Sequence, residues 1–136
     1  MTTYSKQDLD DLLTGAILYG SGGGGPAKMG ELMKSKILEQ PKQPQICEAS
    51  DMADDDWAVI VAGVGSPAAA HDFDPSCAVD ALEQLEKVMG ITFGYVMAAE
   101  IGAGNSFMPI YVAAEMASKG RNVKATEIST GEEVKS

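Results

Sequence analysis

The chain has 136 residues, of which 45% are hydrophobic, and a formal net charge of −10. That length suits one domain with a modest core, and that hydrophobic content excludes a disordered chain. The acidic balance works against nucleic acid and against an anionic membrane surface as partners. No apolar run approaches the roughly 20 residues of a spanning helix. The first residues, MTTYSKQDLDD, are polar and acidic and do not read as a signal peptide. The two cysteines, Cys47 and Cys77, lack a short metal-type spacing and read as reduced thiols of a cytoplasmic protein.

Ser5 opens the first predicted helix, with Asp8 three residues on as a partial capping box. Leu9, Leu12, Leu13, Ala16 and Ile17 follow on one helical face, and the helix is expected to end near Tyr19. Residues 20–26 read GSGGGGP. They satisfy G-x-G-x-x-G formally, but a helix precedes them where the dinucleotide fingerprint needs a strand. Two readings stay open for this tract. One is a close approach by a ligand or another backbone, and the other is a flexible linker between helices. Pro26 suits the first position of a second helix, which carries Met29, Leu32, Met33, Ile37 and Leu38 and stops before Pro41.

Residues 45–49 form a short strand candidate, and the acidic stretch 50–56 reads as a solvated turn because its spacing does not match a calcium loop. WAVIVA at 57–62 is the clearest strand, expected to be central and buried on both faces. A glycine turn follows it at 63–67, containing Gly65 and Ser66, and the loop beyond holds the lone histidine, His71. Asp74 and Pro75 start a third helix whose apolar face is Val79, Leu82, Leu85, Val88 and Met89, ended by Gly90.

Residues 93–109, FGYVMAAEIGAGNSFMP, organise the rest. An apolar strand at 93–99 meets Glu100, then Gly102 and Gly104, then Asn105 and Ser106, then an alanine-rich helix over 107–117. In an α/β sheet such a junction lies at the carboxyl end of a strand, where ligands usually bind. Asn105 or Ser106 is expected to cap the helix, with Pro109 in its first turn. The free N–H groups of that turn would then be able to hold an anion or polarise a carbonyl. A final strand is expected within 122–128, followed by a polar tail over 129–136. The order is helix, helix, strand, strand, helix, strand, helix, strand. It predicts a single α/β domain with a mixed or parallel sheet of about four strands covered by helices.

Three stretches carry a family resemblance: DLDDLLTGAILYGSGGGGP, DDDWAVIVAGVGSP and AAEIGAGNSFMPIYVAAEM. Together they resemble the amino-terminal domain of the DUF917 or S-methyl-thiohydantoin desulfurase-like family, which stands near the hydantoinase and oxoprolinase group. The resemblance implies a longer protein with a second domain. It also implies metal-dependent hydrolysis of a cyclic amide or thiohydantoin ring. The family's D-G-M-G-R segment has no counterpart here, where Ala125 to Gly131 reads ATEISTG. Part of a composite site is therefore expected from a second subunit or from further copies of the chain.

Ring opening needs a polarised carbonyl, an activated water and a proton donor for the leaving nitrogen. Glu100 is the leading catalytic candidate, and His71 the second. Gly22, Gly23, Gly24, Gly65, Ser66, Gly102, Gly104, Asn105 and Ser106 are the substrate-binding candidates. One histidine cannot build a zinc site alone, so a divalent ion such as zinc would draw its ligands largely from outside this chain. The alternative is a non-catalytic binding or assembly subunit that retains the fold.

Overall fold

The computed structural model describes residues 1–63 and 73–126. In chain order the elements are α1 (Lys6–Gly20), α2 (Ala27–Glu39), β1 (Ile46–Cys47), β2 (Ala58–Val61), α3 (Ser76–Met89), β3 (Tyr95–Ala98), α4 (Ala103–Ser118) and β4 (Lys124–Thr126). The strands form one sheet in the order β1-β4-β3-β2, with every pairing parallel. The fold is α/β, as the alternation of strand and helix patterns predicts. No helix among the described residues is long and apolar enough to cross a membrane.

The chain steps from β2 to β3 to β4 in one direction across the sheet. Right-handed crossovers taken in one direction place α3 and α4 on the same face, and the two helices pack against each other. Val61, Val96 and Ala125 meet Phe107, Val112 and Val79 in the core between sheet and helices. Helices α1 and α2 then pack on the outside of α4. This layering makes α4 the centre of the molecule. Its residues from Ala103 to Ala114 are buried without a break. AGNSFMPIYVAA is largely apolar, and its two buried polar side chains before Tyr111, Asn105 and Ser106, are both hydrogen-bonded within the protein, so the segment has no solvent face. Burial, and after it the negative charge of Glu115, pushes the Tyr111 phenol up to about 12.

Several boundaries differ from the sequence expectation, each for a local reason. Ser5 and Asp8 do form a reciprocal capping box at α1. Pro26 stands at the N-cap of α2 rather than inside its first turn. β2 pairs with β3 as expected, but it is an edge strand, and Ile60 is 62% exposed. A short apolar run fixes a strand without saying how many neighbours it has. β3 begins at Tyr95 because the Phe93 N–H is taken by the Glu86 carboxylate at 2.8 Å. In α3 only the first half of the predicted apolar face is buried, through Val79 and Leu82, while Leu85, Val88 and Met89 are exposed. Both cysteines are thiols: Cys47 is buried, its Sγ donating to the Ala125 carbonyl at 3.6 Å, and Cys77 is exposed.

The amino ends of the strands are tied by Glu86. It receives both guanidinium nitrogens of Arg121, each at 2.7 Å, as well as the Phe93 amide. One carboxylate from α3 thus holds the chain just before β3 and just before β4. The Arg121 hydrogen bonds, helped by the Phe93 amide, hold the Glu86 carboxyl below its usual range. A carboxyl with a lowered folded pKa stabilises above the unfolded value of 4.5, and that stability fades as pH falls through the folded value. Glu86→Gln is expected to cost about 1.5–3 kcal/mol at pH 7, the range for hydrogen bonds to charged groups. Urea unfolding at pH 7 and at pH 3 checks this: the gap between wild type and variant is expected to narrow at the lower pH.

Candidate functional site

The carboxyl end of the sheet is built around the start of α4. Helix α4 begins at Ala103, with Gly102 at its N-cap. The sequence expectation of a start at 107 is therefore corrected: Asn105 and Ser106 lie inside the helix rather than capping it, and Pro109 stands beyond the first turn. Proline in that position leaves the Asn105 carbonyl without its helical donor.

The cap comes from elsewhere in the chain. The amides of Gly104 and Asn105 both donate to the Gly24 carbonyl at 2.9 Å. The Gly102 amide donates to Ser106 Oγ at 3.3 Å, and the Ser106 amide to the Gly102 carbonyl at 2.9 Å. A buried helix start must find such partners within the protein. The expectation that these amides hold an anion is corrected by this geometry, because the glycine loop already occupies them.

The same loop explains its own glycines. A Cβ on Gly102 would lie 2.4 Å from Gly24 Cα, and one on Gly24 would lie 2.6 Å from Gly102 Cα. Gly102 has φ 163°, which any residue adopts, so here glycine supplies space rather than torsional freedom. At Gly24 both demands coincide, since its φ is +68°. Gly30 of α2 extends the contact, with a Cβ there falling 2.6 Å from the Ala103 carbonyl oxygen. The tract is a backbone-to-backbone packing site rather than a slack linker.

Beside it stands the candidate carboxylate. Glu100 is exposed, just past the end of β3, and Asn105 Nδ2 donates to its Oε1 at 3.0 Å. Asn105 is buried, so its amide is a fixed donor that orients the carboxylate. The structure brings Gly24, Glu100, Gly102, Gly104, Asn105 and Ser106 together. Gly22 and Gly23 are exposed, but the Gly23 carbonyl oxygen also faces this cluster, 2.6 Å from where a Cβ on Gly102 would stand. Gly65, Ser66 and His71 fall outside the described residues.

A cavity of about 320 Å³ opens at this same end of the sheet. It is lined by Leu12, Ile46, Ala98, Ser106, Pro109 and Thr126, among others. Ala98 and Thr126 are the last residues of β3 and β4. Among the described residues, Thr126 Oγ1 is a buried side-chain oxygen with no hydrogen-bond partner. Sequence reasoning missed Thr126, although its place at the end of a parallel strand was the available signal. A second cavity, of about 260 Å³, lies around Trp57, Gly94 and Arg121 at the amino ends of the strands. Parallel sheets bind ligands at the opposite end, and Arg121 there is engaged by Glu86, so the carboxyl end is the stronger site.

Gly102→Ala is expected to destabilise the fold by about 1–3 kcal/mol, the cost of forcing atoms into a packed contact. On α1, a Cβ added at Gly15 would meet nothing within 4 Å, so Gly15→Ala is expected to stabilise by about 0.5–1 kcal/mol. Thermal unfolding of the two variants checks the pair, and equal effects would remove the packing account.

Residues 7–119 match the family described as S-Me-THD-like, N-terminal domain. A solved protein from Chromobacterium violaceum is similar in structure, with a TM-score of 0.71 and 27% sequence identity. The similarity covers 93% of this chain and 34% of that one, so this chain spans about a third of the relative's length. No curated protein matches the sequence. The family match takes in both the glycine loop and the Glu100–Asn105 pair, and on that extent the chain belongs to the S-Me-THD-like family, as its N-terminal domain.

Proposed function

We propose that this chain supplies one part of a composite hydrolase site acting on a cyclic amide or thiohydantoin ring. The observation that carries the reading is the Glu100–Asn105 pair. It is an exposed carboxylate oriented by a buried amide, set at the carboxyl end of β3 in a member of the S-Me-THD-like family. Glu100 would take a proton from water as that water attacks the ring carbonyl, and would return it to the ring nitrogen as the C–N bond breaks and the tetrahedral adduct collapses to the ring-opened carboxylic acid. Positioning by Asn105 would keep the carboxylate aimed at the reacting water. Stabilisation of the oxyanion is assigned to groups outside this chain, because the amides at the start of α4 are already engaged.

The family resemblance implies a divalent ion, and the donor set of the described residues does not fit one. Among the described residues there is no group of three or more His, Cys, Asp or Glu side chains able to hold a metal. Its ligands would come largely from a second subunit or domain, and no step above depends on it. A second reading is a binding or assembly role without catalysis, favoured by the Gly24 carbonyl's occupation of the Gly104 and Asn105 amides, which holds structure at the point where a reacting group would otherwise be bound.

The test is an assay of hydantoin ring opening with added zinc or manganese. The chain is assayed alone and co-expressed with the part of the Chromobacterium violaceum protein that it does not cover. Activity is expected only in the combination. There, Glu100→Gln is expected to lower kcat by about 100-fold or more with KM nearly unchanged, the scale of a general base. Full activity in the Gln variant would reject the role of Glu100, and no turnover by the combination would favour the assembly reading.

A further inference from the structure

The cavity of about 320 Å³ at the carboxyl end of the sheet has a wall that the proposed reaction leaves unused. Leu12 of α1, Ile46 of β1, Ala98 of β3, and Pro109 and Ile110 of α4 line it, and no charged side chain stands among its described lining residues. The strand register explains why these residues converge. Ala125 pairs with Ile46 on one side and with Val96 on the other, and all three belong to the core, so this row of side chains points toward α4. Ala98 stands two residues beyond Val96 and projects to the same face. Ile46 and Ile110 are buried, whereas Leu12 and Ala98 are half-buried, so the cavity reaches solvent on the side of Leu12 and Ala98.

The same wall adjoins the candidate carboxylate. Ala98 comes two residues before Glu100, within about 7 Å of it by the reach of an extended chain. Ser106, also in the wall, directly follows Asn105, whose side-chain amide holds Glu100. A packed core leaves few voids larger than a water molecule. Ordered water would need several polar partners, and this wall is mostly apolar. Concave, largely apolar spaces of this size are where small molecules bind.

We propose that this cavity receives a neutral, apolar substituent of the ring substrate, such as a branched alkyl group, while the ring itself lies at Glu100. A carboxylate substituent is disfavoured twice, by the uncharged wall and by the chain's net charge of −10. The inference rests on the composite-site reading for the ring, but the selection of an apolar group follows from the wall alone.

The test titrates the purified chain with isobutylhydantoin, with unsubstituted hydantoin and with carboxymethylhydantoin, and follows its amide shifts by NMR. Saturable shifts at Ala98, Ser106 and Ile110 are expected with isobutylhydantoin. The other two are expected to bind at least about tenfold more weakly, the scale of discrimination in a hydrophobic pocket. Ala98→Leu narrows the cavity and is expected to abolish the preference. Leu12→Ala widens it from the opposite wall and is expected to shift the preference to the bulkier benzylhydantoin, and circular dichroism verifies that each variant is folded. Equal binding of the three hydantoins, no saturable shift with any of them, shifts confined to the cavity around Trp57 and Gly94, or a preference untouched by both variants would each overturn the proposal. Isopentanol, which carries the alkyl group without the ring, provides the separate check. If it binds as tightly as isobutylhydantoin, the cavity stands as a site for apolar groups and the hydantoin reading is rejected instead.

Discussion

The structure depends on one backbone contact, the seat of the Gly24 carbonyl on the first turn of α4. That helix runs through the middle of the molecule and its first turns are buried, so its first amides need partners within the protein. A buried, unpartnered amide costs about as much as a lost hydrogen bond. The loop before α2 supplies the acceptor, and it reaches the helix because neither Gly24 nor Gly102 carries a Cβ. One contact therefore joins the outer helical layer to the core helix, and it sets where Glu100 leaves the sheet. The glycines that resemble a phosphate-binding loop serve here to let two stretches of backbone meet.

Much of this was legible in the chain. The capping box at Ser5 and Asp8, the β2–β3 pairing of two apolar runs and the strand-to-helix junction at Glu100 all follow from local patterns that agree with the fold. What could not be read was context. WAVIVA looks the same at a sheet edge as at its centre, so the exposure of Ile60 was hidden. The start of α4 was misplaced because Ala103 and Gly104 look like turn residues until Gly24 is seen to cap them from another part of the chain. Long-range caps leave no trace in periodicity. The family resemblance, which rested on three ordered motifs, carried more than any single motif did.

The candidate site shows the same division. Glu100 was visible as the acid after a strand, and Asn105 as its neighbour, but their hydrogen bond appears only when α4 begins early enough to turn Asn105 back toward the carboxylate. The N-terminal anion site expected from the same residues is removed by the Gly24 carbonyl, which occupies the Gly104 and Asn105 amides. The structure shows an oriented carboxylate and a cavity at the strand ends, with the engaged amides of α4 holding the glycine loop.

Amide hydrogen exchange at Gly104 and Asn105, followed by NMR, tests the central contact most directly. The account predicts that both amides exchange only with global unfolding, as core amides do, and that added phosphate leaves their shifts unchanged. Rapid exchange at both positions, or large shifts on adding phosphate, would contradict it and return the start of α4 to the role of an open anion site.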